Sequence, residues 1–165
     1  MSELTELHKT VVTTPNDTEI RTERVFDAPP ELVFECFTDS DTLAEWLSPD
    51  RLEMRIEEYD CRPGGKWKYI HSDPSTGSEY VFFGEFLEIE KPERLVQTFN
   101  FVMEPQPPAS IDRTDFIPVE GGRTRLVTLT TFEEQQYRDG MLQAGMEKGL
   151  NEGYNKLDEV LASRS

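Results

Sequence analysis

GMLQAGMEKGLNEGYNKLDEVLA, residues 140–162, is the stretch whose reading decides the fold. At 3.6 residues per turn, Leu142, Met146, Gly149, Leu150, Gly153, Tyr154, Leu157, Val160 and Leu161 fall on one arc of about 140°. The opposite arc carries Glu147, Lys148, Asn151, Glu152, Asn155, Lys156, Asp158 and Glu159. The stretch reads as one long amphipathic helix with a buried side. Gly145, Gly149 and Gly153 oppose that reading, at roughly 1 kcal/mol each relative to alanine in a helix interior. Either they let another backbone approach closely, or they leave open volume for a ligand. Their small-xxx-small spacing also fits a membrane dimer. Glu147, Lys148, Asn151 and Glu152 exclude that, because no charge-free span remains. With no other long helix expected, the open-volume reading is preferred, and Gly149→Leu is expected to fold while losing any cavity ligand.

Upstream of this helix, residues 18–26 alternate Ile20, Thr22, Arg24, Phe26 against Glu19, Arg21, Glu23, Val25, the pattern of a half-buried strand. Pro30 stands at a favourable first-turn position of a short helix presenting Leu32, Val33, Phe34, Cys36 and Phe37. Thr38-Asp39-Ser40 stops that helix and caps a second one with Leu43, Trp46 and Leu47, ended by Ser48-Pro49. Six strand signals then follow without intervening helices, at 52–59, 65–72, 79–90, 94–103, 111–118 and 124–132. Their turns carry Pro63-Gly64-Gly65, Pro74-Ser75-Thr76-Gly77 and Gly121-Gly122. The order implies an α+β domain: a seven-stranded antiparallel sheet that curls around the C-terminal helix, with two short helices after the first strand. Residues 1–17 read as a flexible N-terminal arm, or at most an edge strand, and 18–165 as the domain.

Composition narrows the function. The 165 residues carry 17 basic and 33 acidic side chains, a formal net charge of −16, which repels nucleic-acid phosphates and anionic membranes. No apolar run fits a signal peptide or a membrane span, so a cytoplasmic chain is expected. Cys36 and Cys61 read as free thiols. His8, His71, Cys36 and Cys61 show no zinc-ligand spacing, and no cofactor or metal is implied.

A family resemblance rests on Val25-Phe26-Asp27-Ala28-Pro29-Pro30-Glu31-Leu32-Val33-Phe34, Leu43-Ala44-Glu45-Trp46-Leu47-Ser48-Pro49, Asp60-Cys61-Arg62-Pro63-Gly64-Gly65, Gly84-Glu85-Phe86-Leu87-Glu88-Ile89, Pro92-Glu93-Arg94-Leu95, Gly122-Arg123-Thr124-Arg125-Leu126 and Gly153-Tyr154-Asn155-Lys156-Leu157. In this order they resemble START-like helix-grip (SRPBCC) proteins of the group named after the C-terminal domain of the activator of heat-shock-protein-90 ATPase. The resemblance covers residues 19–161 and implies a curved sheet gripping the C-terminal helix over a cavity. Leu47 stands where relatives often have tryptophan, and Gly153-Tyr154 where they have Gly-Trp. The proline-rich loop at 104–110 is an elaboration.

The candidate ligand-binding residues are Trp46, Trp67, Tyr69, His71, Phe99, Met146, Gly149, Leu150, Gly153 and Tyr154. For the aromatic members, ordinary core packing and a cavity wall are equally compatible with the sequence. His71 shares a strand face with Trp67 and Tyr69. Its position by Ser72-Asp73-Pro74 favours a half-solvated side chain over an acid/base role, since no nucleophile or base partner is visible. Asp60 and Arg62 read as bracing their turn. Phe82 and Phe83, adjacent on a strand, must face opposite ways. No catalytic constellation emerges, so the preferred reading is non-catalytic binding of a small hydrophobic or amphipathic ligand. The resemblance also implies a co-chaperone-like, stress-linked interaction module with a chaperone partner, although residues 1–17 leave no room for the activator's separate chaperone-binding domain. A third reading is a cyclase or hydratase using His71 or a cavity carboxylate as base.

Overall fold

A computed structural model describes residues 8–164; the expectation for residues 1–7 lies outside the described residues. The elements run β1 (Val11–Asn16), β2 (Glu19–Phe26), α1 (Pro30–Thr38), α2 (Ser40–Trp46), β3 (Glu53–Tyr59), β4 (Lys66–Ser72), β5 (Glu79–Glu90), β6 (Arg94–Phe101), β7 (Ser110–Val119), β8 (Arg123–Thr131), α3 (Gln135–Gln143) and α4 (Met146–Arg164). All eight strands form one antiparallel sheet in the order β1-β2-β8-β7-β6-β5-β4-β3. Strands β3 to β8 are a meander, and β8 returns to pair with β2. The helices α1 and α2 carry the chain from β2 across to β3, so they lie with α4 on the concave side.

Two expectations are corrected. The sheet has eight strands instead of seven, because Val11–Asn16 pairs with β2 as an edge strand, the lesser of the two readings of an arm or at most an edge strand. Pro15 and the polar run around it hid this strand, and an edge position tolerates both. His8 joins the same region, with its Nδ1 2.9 Å from Asp158 on α4. The long C-terminal helix is also broken. Gly145 adopts φ +85°, and the N–H groups of Ala144 and Gly145 donate to the carbonyls of Gly140 and Leu142 at 3.0 and 3.3 Å. That is a glycine-terminated helix end, and it divides α3 from α4.

Capping residues account for the short helices. Pro30 opens α1, and the Asp39 carboxylate accepts from the Thr42 N–H at 3.1 Å and the Thr42 hydroxyl at 2.6 Å to start α2. In the 60–65 turn Arg62 donates to Asp60 at 2.9 Å, and a β-carbon on Gly65 would lie only 1.9 Å from the Asp60 carbonyl oxygen. The core joins Phe26, Phe34, Phe116 and Leu126 to Leu157 and Leu161 of α4. A buried cation fastens the helix further along: Arg24, 1 % exposed, donates to Asp158 at 2.5 Å and Asn155 at 3.0 Å and lies over the rings of Phe26 and Tyr154.

Candidate functional site: a cavity between sheet and helix

The concave face changes character along its strands. On β2 it runs from Phe26 through Arg24 to Thr22, on β8 from Leu126 to Thr128 and Thr130, and on β7 from Phe116 through Thr114 to Asp112. The apolar end is packed against Leu157 and Leu161. Beside the polar end the side chains leave a cavity of about 260 Å³. Met146, Leu150 and Tyr154 of α4, Met141 of α3, and Leu43, Trp46 and Leu47 of the α2 region line its helical side.

Its walls are chemically distinct. Thr22, Gln97, Ser110, Asp112, Thr114, Thr128 and Thr130 make the polar one. Thr114 and Thr128 share a hydrogen bond at 3.0 Å, and the Thr130 hydroxyl donates to Asp112 Oδ1 at 2.8 Å. Tyr59, Trp67, Tyr69 and Phe99 make the aromatic one. The rings of Trp67 and Tyr69 stack at 5.1 Å and 21°, and Phe99 lies 5.9 Å from Trp67. Gly84 makes room for that indole: a β-carbon there would sit 2.6 Å from it and 2.1 Å from the Thr98 carbonyl oxygen. Burial raises Tyr69 far above an ordinary phenol, with the nearby Asp112 charge adding to it. Tyr154 is pushed up to about 12, first by burial and against hydrogen bonds from Thr128 and Thr22. Burial also pushes Asp112 up to about 6, partly offset by the Thr130 hydrogen bond.

Of the residues singled out in sequence, Trp46, Trp67, Tyr69, Phe99, Met146, Leu150 and Tyr154 converge on the cavity. His71, Gly149 and Gly153 do not. His71 is only 7 % exposed, stacked on Tyr69 at 5.2 Å and beside Phe82 at 5.1 Å, which corrects its half-solvated assignment. Burial, then the Lys156 charge, lowers it to about 4, and its Nε2 has no partner among the described residues. A β-carbon on Gly153 would sit 3.0 Å from the Trp46 carbonyl oxygen, so this glycine seats α4 on the end of α2. A β-carbon on Gly149 would meet only Pro49 Cγ, at 3.5 Å. Gly153 therefore serves close packing and Gly145 helix termination, whereas Gly149 does neither and lies outside the cavity lining. Phe82 joins Tyr69 and Phe99 on the concave side, whereas Phe83 lies with Lys68 and Val81 on the convex one.

Asp112 and Gln97 were missed. Strand alternation could have placed Asp112 on the face of Phe116, but Ile111 and Ile117 on the opposite face point to the other phase. Both of those isoleucines are exposed. Cys36 and Cys61 are free thiols, each pushed up to about 11 by burial first of all. Among the described residues no three His, Cys, Asp or Glu side chains converge.

A curled antiparallel sheet closed over a C-terminal helix, with a cavity between them, defines the START-like helix-grip class. The chain belongs to the family described as Activator of Hsp90 ATPase homolog 1-like protein, whose profile matches residues 27–162. Solved structures with the same fold include a Rhodobacter sphaeroides protein with 23 % identity and TM-score 0.86, covering 94 % of this chain and 99 % of that one. An Arthrobacter aurescens protein has 26 % identity and TM-score 0.82, covering 93 % and 91 %. The AHSA1 protein from Silicibacter pomeroyi has 20 % identity and TM-score 0.72, covering 89 % and 99 %. No curated protein sequence matches the chain.

Proposed function

We infer that this protein binds one small amphipathic molecule in the cavity between sheet and α4, without catalysing a reaction on it. The observation that carries this is the two-sided lining: stacked Trp67 and Tyr69 with Phe99 beside them on one side, and hydroxyls around Asp112 on the other. A core built for stability alone fills such space, since each void forfeits contacts and each buried polar group needs a partner. At about 260 Å³ the volume suits a compact ligand. Among the described residues that line the cavity Asp112 is the one carboxylate, and no histidine, lysine or cysteine stands with it to activate a hydroxyl or relay a proton.

A panel of small aromatics, short fatty acids and fatty alcohols, screened by melting temperature and native mass spectrometry, tests the reading. At least one compound is expected to form a one-to-one complex and raise the melting temperature. Leu150→Trp, which fills the cavity from α4, is expected to abolish that complex while the protein still unfolds cooperatively. A panel without a single binder, or a complex indifferent to Leu150→Trp, would contradict the reading.

A further inference from the structure

The cavity's polar wall is a row built by strand pairing. Gln97 on β6 lies directly opposite Asp112 on β7, and Asp112 directly opposite Thr130 on β8. Directly opposed residues on one face hold their β-carbons about 5 Å apart. Thr130 occupies Oδ1 of Asp112, and the carboxylate takes part in no ion pair among the described residues. Arg24, the cation of the concave face, is held by Asp158, Asn155 and Thr10. The Gln97 amide makes no side-chain hydrogen bond among the described residues. Raised only to about 6, Asp112 is ionised above neutral pH, and the cavity then contains a carboxylate with no counter-ion among the described residues. Such a group is costly inside a protein unless something pairs with it.

The surroundings favour one kind of partner. Phe99 is two residues along β6 from Gln97, on the same face, and Trp67 and Tyr69 continue the aromatic surface. An ammonium close to a carboxylate and to aromatic faces gains from both, by charge pairing and by cation–π attraction. The formal net charge of −16 draws cations toward the protein and disfavours anions.

We propose that the cavity selects small hydrophobic amines, with the ligand's ammonium on Asp112 and Gln97 and its apolar body against Trp67, Tyr69 and Phe99. This rests on the binding reading above and adds the ligand's chemical class to it. A fatty acid would bring a second carboxylate to Asp112, and a neutral alcohol would leave the Asp112 charge uncompensated.

Trp46 and Trp67 are the chain's two tryptophans and both line the cavity, so intrinsic fluorescence reports occupancy. Three probes with one phenyl ring are titrated: phenethylamine, phenethyl alcohol and phenylpropionate. The amine is expected to bind at least about tenfold more tightly than either other probe, the equivalent of one charge-assisted contact. Asp112→Asn, which retains the shape and an acceptor oxygen for the Thr130 hydroxyl, is expected to shrink that advantage to below about threefold. Asp112→Ser serves the same purpose without the amide. Alcohol or carboxylate binding as tightly as the amine overturns the proposal, as does an amine preference that survives both substitutions. If panel compounds bind but none of the three probes does, the amine assignment falls and the binding reading stands. If nothing binds at all, both fall.

Discussion

The Asp112 carboxyl sits deep in the fold with the Thr130 hydroxyl as its partner, raised from 3.8 to about 6 chiefly by burial. A carboxyl whose folded value is raised favours the protonated form in the folded state. Its stabilising effect is complete below 3.8 and is lost as pH rises through about 6. Asp112→Asn is therefore expected to be more stable than the natural protein at pH 7, by on the order of 1–3 kcal/mol at 1.36 kcal/mol per unit. The surface that Asp112 keeps open to the cavity places the gain toward the lower end. The difference should vanish near pH 4, and paired denaturant melts across that range measure it; a difference constant with pH contradicts the burial account. His71 runs the other way: lowered from 6.5 to about 4, it favours the folded state above 6.5 and costs stability as pH falls toward 4. Comparing the variant with the natural protein cancels that contribution. Trp67 and Tyr69 were legible as sharing one strand face because aromatic alternation on β4 is strong, with core packing and a cavity wall left equally open by the sequence. Asp112 was not, since its strand carries charges on both faces and hydroxyls on the inner one, and exposes two isoleucines.

Among the elements, the C-terminal helix separates what the chain states from what only packing decides. Its apolar arc was readable, and Tyr154, Leu157 and Leu161 are buried as the wheel implies. The break at Gly145 was hidden because apolar residues resume in phase after it. The three glycines stand in three different surroundings, and substitutions distinguish them by denaturant melts. Gly145→Ala forces a side chain into φ +85° and is expected to cost roughly 1–2 kcal/mol. Gly149→Ala meets ordinary contact with Pro49 and is expected to gain up to about 1 kcal/mol from helix propensity, leaving ligand binding unchanged. Gly153→Leu drives into the backbone at Trp46 and Leu47 and is expected to cost about 3 kcal/mol. Equal effects at all three positions would refute these assignments. The contact at Gly153 was invisible to a search for a second long helix. It is made by the end of α2, a seven-residue helix positioned by the Asp39 cap.

For the molecule as a whole, the sheet and its helices divide the charge. Ion pairs such as Arg55–Glu79, Lys68–Glu57 and Arg113–Asp115 lie on the convex side, while on the concave side Arg24 is paired and Asp112, bonded to Thr130, has no ion pair among the described residues. Solvent-exposed pairs of that kind add at most about 1 kcal/mol each, so the fold rests on burial along the concave face. No helix among the described residues is long and apolar enough to cross a membrane. The fold was legible from the order of helix and strand signals, whereas the cavity emerges from which concave residues the register aligns, a property of strand pairing that no single segment contains. Methyl-resolved NMR during titration with phenethylamine tests the central claim most directly. The account predicts saturable shifts at Leu95, Met141, Met146 and Leu150, with Val102 and Met103 on the outer surface unmoved. Shifts confined to Val102, Met103 and other exposed methyls, or none at all, would contradict it.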